Sequence, residues 1–196
     1  MNIQRADVIR ENLTFFETAL QSLAARHFIL DAVRCTSPEP RLSLAGLTCL
    51  LCGIEGCLRF SISEKKAGKF QPETVDLDKA DNFNNDLLKE ADKLGLDIEV
   101  FAFPEESRKM REIVTAQKVN GQKTIKAGIV EFRNEFSHGR ACRAAEKIGD
   151  FEFSDSLMLG PQFKEMLEIS YLFSRELARF RGVELSLETP RNPFDF

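Results

Sequence analysis

Apolar residues recur at alternating steps of four and three along residues 9–30: Ile9, Leu13, Phe16, Leu20, Leu23 and Leu30, with His27 on the same line. Side chains so spaced share one face of a helix, and that face must be buried against another element. No segment sustains the two-residue period of a strand for long enough to build a sheet. The chain is therefore expected to be all-α. The stripe predicts one helix over residues 7–34, ending before Ser37-Pro38-Glu39-Pro40, because a residue preceding proline is pushed out of the helical region. His27, lying within the stripe, reads as a core or interface histidine.

A second, more apolar helix is expected over residues 42–61, with Gly46, Gly53 and Gly56 along it. Glycine costs helix propensity, so three in one helix point to close approach by neighbouring helices and to a central position. Residues 62–79 are polar and read as a loop. Phe83, Leu87, Leu88, Ala91 and Leu94 mark a short helix with Gly95 as its stop. Residues 97–104 (DIEVFAFP) have strand-like composition over too short a span for a sheet, and 151–160 (FEFSDSLMLG) form a second such stretch. A helix resumes near Glu105, breaks around Asn120-Gly121 and restarts at Lys123. Pro161 suits a first helical turn. Phe163, Met166, Ser170, Phe173, Leu177 and Phe180 form the last stripe, closed by Gly182.

These elements add up to a bundle of about five helices with at most a minor short β element. They form one helical domain over 1–182 and an irregular tail over 183–196. A chain of 196 residues can bury such a core without disulfide or metal staples. Phe supplies 17 residues and Tyr only one, with no Trp, so the core is expected to be Phe- and Leu-rich. The N-terminus is polar, and no apolar run approaches the roughly 18–20 residues of a membrane span, so the expected setting is the cytoplasm and no membrane is expected as a partner. Five cysteines there are expected to be reduced. Cys49 and Cys52 form a CxxC with Cys57 close behind, but no second pair completes four zinc ligands. The strand-to-helix opening of a thioredoxin-like motif is also missing. They read as small core residues, and neither metal nor cofactor is expected.

The net charge of −4 argues against a general polyanion binder, but the charge is uneven. Residues 105–147 hold ten Lys and Arg against six Glu. A local basic surface on an acidic body fits a confined phosphate-bearing ligand. Within it, Ile125, Ile129, Phe132 and Phe136 recur at helical spacing and are expected to face the core. Arg133 then lies at the edge of that face, and Asn134 and His138, four residues apart, project together away from it. Ser137 lies between Arg133 and His138 around the helix. Gly139 puts His138 in the last turn, where the helix dipole favours imidazolium.

Arg133-Asn134-Glu135-Phe136-Ser137-His138 resembles the R-x4-6-H signature of HEPN domains, including the polar residue that commonly follows the Arg. The resemblance extends over residues 5–181 at the level of fold class, with about ten residues carrying the motif. It implies an all-α domain that acts as a metal-independent endoribonuclease, in toxin–antitoxin, phage-defence or RNA-processing roles. It further implies a homodimer whose two motifs share one cleft, RNA as substrate, and an antitoxin or other regulatory protein as partner. The chemistry agrees. Cleavage needs a base for the ribose 2′-hydroxyl, an acid for the leaving oxygen and a cation for the phosphorane charge. His138 suits proton transfer, Arg133 suits the phosphate, and Asn134 suits orienting His138 or hydrogen-bonding a phosphate oxygen; Ser137, Arg140 and Arg143 are the candidate phosphate-binding residues. HEPN toxins modified by a partner nucleotidyltransferase carry a Tyr two residues after the His. Arg140 stands there in this chain, which puts that regulation in doubt. The competing reading is a non-catalytic helical module that binds a nucleotide or partner, or dimerises, through the same basic patch.

Overall fold

The computed structural model describes residues 3–36, 40–68, 83–116, 125–137 and 160–195. It is all-α: seven α-helices, and no strand among the described residues. The chain divides into two compact units, one made of Met1–Ser61 with Phe151–Phe196 and the other of Ile62–Asp150.

In the first unit, α1 spans Ile3–Ala19. It buries Val8, Asn12, Phe15, Phe16 and Ala19, a face displaced by one residue from the expected stripe. Instead of one helix over 7–34, the chain breaks after Ala19 and resumes as α2, Arg26–Arg34. Ser22 sits in the left-handed region at φ 68°, which interrupts the helical ladder, while Leu20 and Leu23 on either side stay buried. No Pro or Gly announces this turn. Beyond it the buried set becomes Ile29, Leu30, Ala32 and Val33, and His27 is exposed rather than in the core.

The third helix, α3, runs Pro40–Ala67, longer than expected at its C-terminal end, where Lys65 and Lys66 complement the helix dipole. Its glycines are where neighbours press closest. A Cβ on Gly53 would lie 2.5 Å from Ile29 Cγ1, one on Gly56 would lie 2.6 Å from Ala25 Cβ, and one on Gly46 would lie 2.2 Å from Cε1 and Cζ of Phe163. The segment Leu42–Ala67 is long and apolar enough to cross a membrane by length and composition, and half of its most apolar window is buried within the protein.

The last helix of this unit, α7, spans Gly160–Arg181 with Pro161 in its first turn. All six residues of its expected stripe are buried. Tyr171 stacks on Phe16 at 5.2 Å and meets Phe15 edge-on at 5.8 Å. Gly182 takes φ +73° and ends the helix, with the Val183 N–H returning to the Ala178 carbonyl at 2.8 Å. Residues 183–195 hold no helix and are pinned to the unit by side chains. Asn12 Nδ2 donates to the Arg191 carbonyl at 2.8 Å, and Arg175 Nη2 to the Leu187 carbonyl at 2.6 Å.

In the second unit, α4 spans Asn85–Lys93. It is capped by the Asn84 side chain, which accepts the Leu87 N–H at 2.9 Å, and is followed by Gly95 at φ +97°. The strand-like stretch 97–104 is instead a 3₁₀ turn, Ile98–Phe101, with Ile98 and Phe101 buried. Asp97 accepts the Glu99 N–H at 3.2 Å, and Glu99 accepts the N–H groups of Arg108 and Met110, so side chain–backbone bonds take the place of a ladder. A second 3₁₀ turn, Pro104–Glu106, leads to α5, Met110–Thr115, and then to α6, Gly128–Ser137. Of the expected stretch 151–160, residues 151–159 lie outside the described residues, and Gly160 opens α7.

Candidate functional site

Helix α6 carries the Arg-Asn half of the motif, and its placement is set by two residues far away in sequence. Asn85 donates from Nδ2 to the Ile125 carbonyl at 2.8 Å and accepts the Ala127 N–H on Oδ1 at 3.0 Å. Glu106 accepts the Gly128 N–H at 2.6 Å and the Phe103 N–H at 3.2 Å, placing a carboxylate at the positive end of the helix dipole. Gly128 is required where it stands: a Cβ there would lie 2.6 Å from the Phe103 ring and 2.9 Å from Glu106 Oε2.

The helix then buries Ile129, Val130 and Phe132. Phe132 packs edge-on against Phe103 at 6.4 Å and stacks with Phe136 at 5.9 Å. Ile125 is not part of this face. It precedes the helix and is 63% exposed, because helical geometry starts only at Gly128. Phe136 is half-buried.

Arg133 and Asn134 are both half-buried on the last turns of α6, and Ser137, its final residue, is exposed. Arg133 Nη1 donates to Asn134 Oδ1 at 3.4 Å, at the long end of the hydrogen-bond range. The two consecutive side chains thus converge rather than diverge around the helix. His138, Arg140 and Arg143 lie outside the described residues, as does Cys142. Chemically, the arrangement offers a permanently charged, planar five-donor group with an amide beside it, five and four residues before the histidine in sequence.

The CxxC is only partly core. Cys57 is fully buried, and burial pushes its thiol up to about 12 against weaker opposing pulls from Arg181 and Arg26. Cys49 is half-buried and Cys52 is exposed, so the reading of all three as small core residues holds for Cys57 alone. Burial likewise raises the thiols of Cys35 and Cys49. Among the described residues, no three His, Cys, Asp or Glu side chains gather where they could hold one ion.

Asn85 and Glu106 were invisible to sequence reasoning. Each acts across more than twenty residues, on backbone groups that no local periodicity links to it. Comparison with protein-family models, curated proteins and solved structures finds no match to this chain.

Proposed function

We propose that the chain is a metal-independent endoribonuclease of HEPN type, cleaving RNA at a cleft shared by two copies of Arg133, Asn134 and His138. The observation that carries this reading is the convergence of Arg133 and Asn134 on one another in the last turns of α6, one helical turn before His138 in sequence. In the proposed reaction, His138 accepts the ribose 2′-hydroxyl proton. The 2′-oxygen attacks the adjacent phosphorus, and the 5′-oxygen leaves with a proton from the second copy's histidine. Arg133 sits against the non-bridging oxygens, where its fork matches developing phosphorane charge. Asn134 orients the guanidinium, and Ser137, Arg140 and Arg143 hold flanking phosphates. The setting is cytoplasmic, with an antitoxin or other regulatory protein restraining the activity.

Single-turnover cleavage of labelled RNAs in EDTA, paired with thermal melts, tests this. His138→Ala is expected to lose on the order of 10²–10⁴-fold in rate with RNA affinity retained. Arg133→Ala is expected to lose rate and to bind RNA more weakly, with a shallower salt dependence, and Arg133→Lys to restore affinity better than rate. Phe132→Ala serves as the folding control, losing roughly 3–5 kcal/mol of stability and activity only through unfolding. RNA bound equally by wild type and His138→Ala, with no cleavage by either, would replace this reading with the non-catalytic binding module.

A further inference from the structure

Residues 183–190 run without turn or bend after α7, and side-chain exposure alternates along 183–188. Val183, Leu185 and Leu187 are half-buried, while Glu184, Ser186 and Glu188 are exposed. That two-residue period is the pattern of extended backbone, here without a ladder partner among the described residues. Backbone groups of alternate residues in such a strand point to opposite edges. Two groups of the inner edge are engaged: the Val183 N–H reaches the Ala178 carbonyl, and the Leu187 carbonyl accepts from Arg175. The N–H and C=O groups of Glu184, Ser186 and Glu188 have no hydrogen-bond partner among the described residues. An unpaired edge of this kind is a template for another strand.

Beside the far end of this strand lies a cavity of about 660 Å³, whose walls include Glu11, Thr14, Phe15, Leu187, Glu188 and Arg191. Neither Glu11 nor Glu188 forms an ion pair with a described residue, and the Asp7–Arg10 pair at 3.2 Å closes another part of the wall.

We infer that the outward edge of residues 184–188 docks an extended, basic segment of a partner protein by strand addition, one of its cationic side chains entering the cavity at Glu11 and Glu188. Charge decides between occupants. Antiparallel pairing of two copies centred on Ser186, the register that uses all three residues, sets Glu184 opposite Glu188 of the other copy, and like charges directly opposed repel. A strand with Lys or Arg at alternate positions meets the same two carboxylates favourably. The inference does not rest on the nuclease reading, since this edge is acidic and unsuited to RNA.

The test titrates the full chain at low salt with two nine-residue peptides, one alternating Val and Lys, the other alternating Val and Glu. The basic peptide is expected to bind, more weakly as salt rises, and the acidic one not. Glu184→Lys combined with Glu188→Lys should weaken the basic peptide by about tenfold or more and admit the acidic one. Ser186→Pro removes an edge N–H at an exposed position and should abolish binding of the basic peptide. N-methylating the basic peptide on its pairing edge, but not on its other edge, should do the same without altering the protein. The inference is overturned by equal binding of both peptides, by binding indifferent to which peptide edge is methylated, or by no binding at millimolar peptide. It is equally overturned if the amides of 184, 186 and 188 are already protected from hydrogen exchange in the chain alone, or become so only as chain concentration rises.

Discussion

Gly128 donates its backbone N–H to Glu106 Oε1 at 2.6 Å, while Oε2 of the same carboxylate accepts the Phe103 N–H at 3.2 Å. One side chain thus satisfies the first turn of α6 and ties it to the 3₁₀ turn whose Phe103 ring covers Phe132.

This clamp makes two changes informative. Gly128→Ala drives a Cβ into Phe103 and Glu106, an overpacking expected to cost about 1–3 kcal/mol. Glu106→Ala leaves two N–H groups without their acceptor, at a similar cost. Each should lower the melting temperature by roughly 2–4 °C per kcal/mol in a chain of this length, read by calorimetry. If RNA cleavage is measured below both transitions, both variants should also lose rate, because α6 presents Arg133. Unchanged rate at unchanged fold would separate the clamp from the site.

Along the seam of α2 and α3, Gly53→Ala is expected to destabilise by about 1–3 kcal/mol, since its Cβ would meet Ile29 Cγ1 at 2.5 Å and the Ile29 backbone nitrogen at 3.1 Å. Ile29→Ala in the same chain should relieve part of that cost, giving a non-additive double-mutant cycle. Gly160→Ala, with no atom within 4 Å of the new Cβ, should be neutral or stabilising. Equal losses at positions 53 and 160 would show that conformational freedom, not contact, governs these glycines.

The Tyr171 hydroxyl donates to Asn12 Oδ1, while Asn12 Nδ2 donates to the carbonyls of Val8 and Arg191. This buried pair couples α1, α7 and the tail. Tyr171→Phe removes only the oxygen and strands the Asn12 acceptor, a loss of about 1–3 kcal/mol. Asn12→Ala additionally frees the Arg191 carbonyl and should be worse. It should also speed amide exchange in residues 191–195, measured by mass spectrometry.

Alkaline stability should follow Cys57. Its folded-state thiol is held at about 12 by burial, above the ordinary value of 9.0, so the folded chain keeps a proton that the unfolded chain gives up. The benefit is complete below about pH 9 and is lost progressively as pH rises toward 12. Tyr171, whose phenol burial also raises, adds in the same direction. Cys57→Ala should therefore flatten the fall in melting temperature between pH 9 and 11, after its own cavity cost. At pH 8, iodoacetamide should label exposed Cys52 quickly and Cys57 only through unfolding.

What was readable in the sequence follows from how locally each contact is determined. The stripe of α7 and the close approaches at Gly46, Gly53 and Gly56 were legible because helical spacing and missing side chains are properties of neighbouring residues. The turn at Ser22 was not, since a serine in the left-handed region carries no compositional mark. DIEVFAFP became a 3₁₀ turn because Glu99 reaches forward to Arg108 and Met110, a choice that β propensity does not encode. At the candidate site the identity of Arg133, Asn134 and Ser137 was legible. That Asn85 and Glu106 aim their helix was not.

The first unit is assembled from both ends of the chain, with Asn12 bonded to partners 159 and 179 residues away. During synthesis, α1, α2 and α3 emerge with their Phe163 socket and Tyr171 stacking site empty. They wait on the order of ten seconds, at typical ribosome speeds, while the contiguous second unit is made. The second unit can complete itself first. The first stays open, its phenylalanine faces exposed to chaperones and to other nascent chains, until α7 leaves the exit tunnel and closes it.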